Sequence, residues 1–245
     1  MNPSPFSMAK KATASKTRFF DAARGWRAAD VVAMARERPD LVAARDGTGR
    51  TALHVCSRRH PRNAAEAKRA LATAKALVAM GADVNAIHEI PDDGDLFPAT
   101  ALWQALVWGR NRALGAYLLA RGSNPNHCLH GLVYADDLAS AKLVRRYGAQ
   151  LDELGHGETP LIYAVRHRRV RFAEWLLRQG ADANVRDRRG FTALHHAVRK
   201  RLPSSTLRLL VRCGADVHAA AMDGATVGSL ATRAQRRLLG LDDYF

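Results

Sequence analysis

The sequence predicts an all-α repeat solenoid of about six to seven stacked helix–turn–helix units, and three periodic features support this prediction. A segment similar to Gly-Ala-Asp recurs along the chain, beginning at Gly81, Gly122, Gly148, Gly180 and Gly214. A Leu-rich amphipathic run precedes each of these segments, as in FAEWLLRQ before Gly180. A third landmark, a Thr followed by an apolar run, recurs every 33 or 34 residues, at Thr159, Thr192 and Thr226.

The residues of each unit account for its elements in chain order. The Thr begins the first helix, because its hydroxyl can accept hydrogen bonds from the first backbone N–H groups. Apolar residues then recur at helical spacing, and a short basic loop leads to a second amphipathic helix. The Gly ends that helix, since glycine adopts the left-handed conformation there without steric cost. Helix pairs this short cannot bury their apolar faces alone, so successive pairs must stack.

Two segments carry a resemblance to ankyrin repeats: residues 157–187, GETPLIYAVRHRRVRFAEWLLRQGADANVRD, and residues 190–219, GFTALHHAVRKRLPSSTLRLLVRCGADVHA. Both contain, in register, the Thr-Pro-Leu-His type of helix start and the Gly-Ala-Asp-x-Asn finger. The resemblance implies helix–turn–helix units with β-hairpin-like fingers and a concave face that binds proteins.

The resemblance divides the chain into one domain and two tails. We expect an ankyrin repeat domain at residues 19–240, a flexible basic N-terminal tail at residues 1–18 and a C-terminal tail at residues 241–245. The N-terminal residues lack the apolar core of a secretion signal.

Three segments depart from the regular repeat. The finger at residues 86–99 is extended, and the segment between the two helices of the second unit, after Arg58, is also lengthened. The unit at residues 127–152 is truncated, so we expect its first helix to be curtailed and the stack to have a kink or a notch there.

The amino-acid composition indicates which class of partner the protein binds and in which cellular compartment it lies. The 245 residues include 38 Lys and Arg against 23 Asp and Glu, a net charge of +15, which attracts acidic proteins and polyanions. Three widely separated cysteines indicate buried thiols in a reducing compartment, which predicts a cytoplasmic protein; delivery into another cell or compartment stays open. No run reaches the roughly 18 apolar residues of a membrane-spanning helix, so we expect no membrane insertion.

Adjacent histidines raise the question of a metal or acid–base site. For His195, and for His54 at the same motif position, the resemblance implies a buried, structural hydrogen bond. His196 diverges from His195 by about 100° around a helix, so one face cannot present both to one metal ion. We expect His196 to lie nearer the groove. The sequence contains no nucleotide-binding, nucleophile or zinc motif, and we predict no catalytic residue, no metal, no cofactor and no enzymatic activity.

Basic residues recur where the first helices end, and aromatic residues that we expect to face the groove lie among them. Cations at a helix C-terminus are favoured by the helix dipole, but the dipole explains one cation per helix better than three or four. The candidate partner-binding residues are Arg58, Arg59, Trp103, Trp108, Arg110, Tyr163, Arg166, His167, Arg169, Arg188, Arg189, His196, Arg199 and Lys200.

The extended finger is acidic. Its carboxylates do not have the spacing of a calcium-binding loop, and the segment is typical of a solvated turn. We expect it to contact a basic partner surface or the protein's own basic surface, through Glu89, Asp92, Asp93 and Asp95.

These features predict a non-enzymatic interaction module, monomeric by itself, that binds another protein with an acidic surface through its concave face and fingers. Aromatic and Arg side chains are the residues that dominate protein interfaces. The alternative is a binder of nucleic acid or anionic surfaces through the basic edge.

Overall fold

The computed structural model describes residues 14–92 and 95–241, and these residues form seven consecutive helix pairs. The first helices of the pairs pack against one another and form an inner layer: α1 (Lys16–Arg24), α3 (Ala52–Arg58), α5 (Ala101–Trp103), α7 (Cys128–Tyr134), α9 (Pro160–Arg166), α11 (Ala193–Arg199) and α13 (Val227–Leu230). The outer helices are α2 (Ala28–Glu37), α4 (Ala64–Ala79), α6 (Arg112–Ala120), α8 (Leu138–Arg146), α10 (Val170–Arg178), α12 (Ser204–Arg212) and α14 (Arg233–Leu239). The predicted all-α repeat solenoid is confirmed.

One leucine position holds the inner layer together. The second residue of five successive inner helices is a Leu that is no more than 3% exposed: Leu53, Leu102, Leu129, Leu161 and Leu194. The inner helices that carry these side chains pack on the inner helices of neighbouring repeats as well as on their own outer helices, so much of the apolar area that stabilises the fold lies between repeats.

The predicted caps are present at both ends of the helix pairs. The Thr192 hydroxyl and the His195 ring form a capping box at the start of α11, and Thr51 and His54 form the same box at α3. The glycine after an outer helix has a positive φ, as at Gly180 with 93°. No atom lies within 4 Å of a Cβ built at this glycine, so the backbone angle alone requires it.

The extended finger is an antiparallel hairpin, as predicted for residues 86–99. Strand β1 (His88–Asp92) pairs with β2 (Asp95–Ala99), and Ile90 lies opposite Phe97. The turn that joins the strands, residues 93 and 94, lies outside the described residues.

The truncated unit has lost its finger, and the prediction of a curtailed first helix was wrong. Helix α7 has seven residues, as α9 and α11 do, but it begins only six residues after Gly122. Helix α11 begins thirteen residues after Gly180. In place of the missing finger, His127 adopts a left-handed φ of 64° and donates its backbone N–H to Glu153 at 2.6 Å.

Most of the extra residues of the second unit extend its outer helix, and the loop between α3 and α4 has five residues against three between α9 and α10, as the predicted lengthening of this segment requires. Helix α4 has sixteen residues, against nine in α6. Asn63 caps its first turn, and the buried carboxylate of Glu66 accepts hydrogen bonds from Arg59 and Arg62.

Both predicted tails differ from the structure at their inner ends. Helix α1 begins at Lys16 with Ser15 as its cap, so residues 16–18 are helical. Leu241 is buried against the core. Residues 1–13 and 242–245 of the predicted tails lie outside the described residues.

Thr192→Val should lower the free energy of unfolding by about 1–2 kcal/mol, because the buried box loses an acceptor and leaves the His195 ring with one partner fewer. Thr232→Val removes the hydroxyl of the exposed box at α14 and should cost only about 0.5 kcal/mol. Urea unfolding followed by circular dichroism measures both. Equal losses in the two variants would contradict the structural importance of the buried box.

Candidate functional site

Aromatic side chains from the hairpin, α5, α7 and α9 surround one groove on the inner-helix side of the stack. A cavity of about 280 Å³ lies at its centre. We call this surface the aromatic groove and define it by Phe97, Trp103, Trp108, His130, Tyr134 and Tyr163.

One wall of the aromatic groove is a row of aromatic rings that contact each other at an angle. The ring centroids of Phe97 and Trp103 are 5.0 Å apart, and those of Trp103 and Trp108 are 4.7 Å apart. The guanidinium carbon of Arg58 lies 3.9 Å from the centroid of the Trp108 ring. Such edge-to-face and cation–π contacts hold the rings in fixed positions.

A π-helical segment, Gln104–Trp108, places both tryptophans on this wall. It continues α5. A hydrogen bond of the π-helical type, between residues five apart in the sequence, runs from the Gly109 N–H to the Gln104 carbonyl at 2.8 Å. In an α-helix, residues five apart diverge by about 140° around the axis. The wider π turn, with bonds between residues five apart, brings them toward the same face. The tight path requires Gly109, since a Cβ there would lie 2.3 Å from the Ser57 carbonyl oxygen.

The opposite wall comes from α7 and α9. The His130 and Tyr163 rings are 6.0 Å apart, and the His167 ring lies 4.3 Å from Tyr163. Burial lowers the pKa of His130, so its neutral ring donates the Nε2 proton to the Glu158 carbonyl at 2.9 Å. This hydrogen bond ties the groove wall to the next finger.

Gly131 lets the two walls approach each other. A Cβ at this position would lie 2.7 Å from a Val107 methyl carbon and 2.9 Å from the Trp103 indole nitrogen. Any larger residue would therefore displace the Trp103 ring.

On the other side of the hairpin, where the truncated unit lacks its finger, a second cavity of about 300 Å³ separates Phe97 from residues 153–156.

The predicted basic residues belong to separate local clusters. Arg58 has no carboxylate partner among the described residues and lies on Trp108. Arg166, in contrast, forms an ion pair of 2.6 Å with the buried Glu158. Arg59 lies on the Trp26 ring at 4.4 Å.

The remaining predicted cations lie at the turns and around the next finger. Arg169 contacts Asp136 at 3.3 Å. Arg189 and Arg199 lie over the Phe191 ring at 4.9 and 5.4 Å, and the aliphatic part of Arg188 covers Gly157. Arg110 and Lys200 occupy the turns after Trp108 and after α11.

The prediction that His196 reaches the groove was wrong. Its side chain is only 4% exposed, because the preceding finger folds over it and places Asp187 Oδ2 2.8 Å from His196 Nε2. Burial lowers the pKa of His196, so the ring is neutral and donates to the carboxylate. Burial opposes the charge of Asp187, but hydrogen bonds from His196 and from two backbone N–H groups outweigh this and lower its pKa.

His195 and His54 have the structural role that the resemblance implied. The Thr51 N–H donates to His54 Nδ1 at 3.3 Å, and His54 Nε2 lies 3.2 Å from the Ala99 carbonyl at the end of the hairpin. His54 thus connects the cap of α3 to the base of β2. Burial is the main cause that lowers the pKa of His54 to about 4.

The acidic finger is only partly described. Glu89 is exposed on β1 and does not line the aromatic groove. The backbones of Asp92 and Asp95 form the last pair of the hairpin, and Asp93 lies outside the described residues.

Two predictions about cysteines hold and one fails. Cys56 and Cys128 are buried, and burial raises the pKa of the Cys56 thiol to about 12. Cys213 is exposed, because it caps the outer helix α12 on the side away from the core.

Across residues 14–92 and 95–241, no group of three or more His, Cys, Asp or Glu side chains could hold a metal ion. Nor is any helix in that part long and apolar enough to span a membrane.

Sequence reasoning missed Phe97, His130 and Tyr134. Their units depart from the repeat, so no register predicts which way these side chains face. The available signal was local: α7 combines aromatic residues with Gly131 in the one unit that is too short for a finger. Tyr134 is 69% exposed, which is unusual for a large aromatic side chain.

The pKa of His54 predicts a pH-dependent stability. Between pH 6.5 and about 4 the unfolded chain binds a proton at this ring and the folded protein does not, so stability falls as the pH falls through this range. His54 contributes at most about 1.4 kcal/mol per pH unit. Urea unfolding at several pH values should show a shallower dependence for His54→Gln than for the wild type. An unchanged slope would show that His54 is protonated in the folded state.

Comparisons with known proteins agree with this architecture. A family profile described as "Ankyrin repeats (3 copies)" matches residues 62–187 and 129–221. The human ASB11 ankyrin repeat domain is 22% identical with a TM-score of 0.62, over 91% of this chain and 97% of that one. The ankyrin repeat domain of Bcl-3, described as a unique member of the IkappaB protein family, is 22% identical with a TM-score of 0.68, over 91% and 96%. The chain therefore belongs to the ankyrin repeat family.

Proposed function

We propose that this protein is a non-enzymatic interaction module that holds a partner protein with an acidic surface on its concave face and fingers. Ankyrin repeats generally mediate protein–protein interaction. The observation that carries the proposal is the aromatic groove, where Trp103, Trp108 and Tyr163 are partly exposed. Arg58, which has no carboxylate partner among the described residues, lies on the Trp108 ring.

The composition of the groove supports a protein partner. Trp, Tyr and Arg are the residues most often found to dominate the binding energy of protein interfaces. Here the rings are already packed against each other and against Arg58, so a partner would order few side chains on binding.

The charge distribution supports an acidic partner. The net charge of +15 would accelerate the encounter with an acidic surface, and the effect would weaken with salt. Glu89, which is exposed on β1, would provide a second contact of opposite sign and so orient the partner.

One observation favours the alternative, a binder of nucleic acid or of anionic surfaces. Arg110, Arg168 and Arg201 occupy left-handed positions in the turns of their units, are exposed, and have no acidic partner among the described residues. Cations presented at successive turns could contact phosphates along one edge.

Affinity capture from lysate at about 0.15 M salt tests the proposal. The wild type should recover a stoichiometric partner, and the double variant Arg58→Ala, Trp108→Ala should recover about tenfold less, because it removes the cation and the ring beneath it. Arg166 is left intact, since its loss would leave the buried Glu158 unpaired. The control Lys142→Ala, Arg146→Ala changes exposed residues of the outer helix α8 and should capture normally. Equal capture by the double variant would refute this placement of the binding face.

Titration with duplex and single-stranded DNA and RNA distinguishes the alternative. At about 200 mM salt we expect no appreciable binding, because the turn arginines are separated and no nucleic-acid motif is present. Fluorescence anisotropy of labelled oligonucleotides at about 50 mM and about 200 mM salt measures this. Tight binding of arbitrary sequences with a steep salt dependence would favour the nucleic-acid function.

A further inference from the structure

The aromatic groove has a shape that a regular repeat array lacks. It lies at the junction of three irregular features: the long hairpin, the π-helical segment and the unit without a finger. Gly131 forms part of its floor, and Val107 packs behind it. The outcome is one local recess on the inner side of the stack.

We infer that this recess holds one bulky apolar side chain from an acidic peptide segment of the partner, with neighbouring carboxylates of that segment paired to Arg58. The inference rests on the proposed function and specifies the chemistry that the groove recognises.

The size and walls of the recess favour an apolar anchor. Its volume of about 280 Å³ is at the lower limit of pockets that hold small molecules, which span about 300–1,000 Å³. Trp103 and Trp108 on one side and Tyr163 on the other present ring surfaces, and Ile90 extends the apolar lining onto the hairpin. A single Leu, Phe or Trp side chain that fills this space would be removed from water on several sides.

Arg58 favours carboxylates beside that anchor. Its guanidinium is held on the Trp108 ring at 3.9 Å, and Trp108 is one of the residues that line the recess. Partial burial is the main cause that lowers the pKa of Arg58, and the charge of Arg50 adds to it. Both effects disfavour the cation, and no carboxylate among the described residues offsets them. An acidic residue from a partner would supply the missing counter-charge in a partly desolvated position.

The hairpin disfavours the other common mode of peptide binding, the addition of a strand. Pro91 in β1 pairs with Leu96 and Pro98 in β2 pairs with Glu89, and the single pair Ile90–Phe97 lies between these two pairs. Neither proline has a backbone N–H, so each edge of the hairpin lacks a donor that an added strand would need. The occupant therefore docks by inserting a side chain.

Selection from a display library of random short peptides against the full-length protein tests the inference. Bound peptides should be enriched in Asp and Glu around one Leu, Phe or Trp. The affinity of a fluorescein-labelled synthetic consensus peptide is then measured by anisotropy, beside a twin in which Ala replaces the apolar residue. The twin should bind about tenfold more weakly.

Variants of the protein locate the site. Arg58→Glu and Tyr163→Ala should each weaken the peptide about tenfold or more. Arg146→Glu makes the same charge change as Arg58→Glu on the exposed outer helix α8 and should leave the affinity within about twofold. Arg58 is itself exposed, so its replacement tests the site even if Tyr163→Ala disturbs folding.

Several results would overturn the inference. They are an absence of selected peptides, a consensus without acidic residues, and equal affinity for Arg58→Glu and the wild type. Binding of an oligonucleotide, or of a second copy of the chain, at the groove in place of the acidic peptide would also overturn it. If no peptide binds but capture of a partner protein still depends on Arg58 and Trp108, the proposed function stands. Only the inference that the groove recognises an acidic segment with an apolar side chain is then wrong.

Discussion

Burial between neighbouring repeats is the interaction on which the rest of this structure depends. The inner helices that carry Leu53, Leu102, Leu129, Leu161 and Leu194 pack on their own outer helices and on the inner helices of the neighbouring repeats, and all five Leu side chains are buried. The buried capping boxes, Thr51 with His54 and Thr192 with His195, begin α3 and α11 two residues before Leu53 and Leu194. Stability is consequently distributed along the stack, and each repeat depends on its neighbours.

This distribution permits irregularity wherever the stacking residues are spared. The truncated unit keeps all seven residues of α7, including the buried Leu129, and loses only its finger. The second unit adds its extra residues to the outer helix α4. The π-helical segment widens a turn beyond Leu102. These changes leave the Leu positions in contact and reshape the exposed inner side, and the aromatic groove results from them.

The histidines show how far sequence reasoning reaches within a regular unit. The repeat register correctly separated His195, which completes a cap, from His196, which does not. It failed to predict the partner of His196, because Asp187 reaches it from the preceding finger and the register does not determine how a finger folds over the helix. The basic residues failed in a similar way: their recurrence was visible, but ion pairs such as Arg166 with Glu158 depend on finger geometry.

The sequence by itself determined the repeat architecture, the capping threonines, the glycine turns and the positions of the two irregular units. These follow from spacing and from the backbone preferences of single residues, which act locally. Only the tertiary structure decided that Trp103 and Trp108 share one face, that Gly131 lets them meet α7, and that Arg58 lies on Trp108 with no carboxylate partner in residues 14–92 and 95–241. The physical reason is that these contacts depend on a π-helical turn and a missing finger, which change the direction in which side chains point relative to a regular repeat. Where the repeat register is broken, the spacing of residues in the sequence does not predict the direction of their side chains.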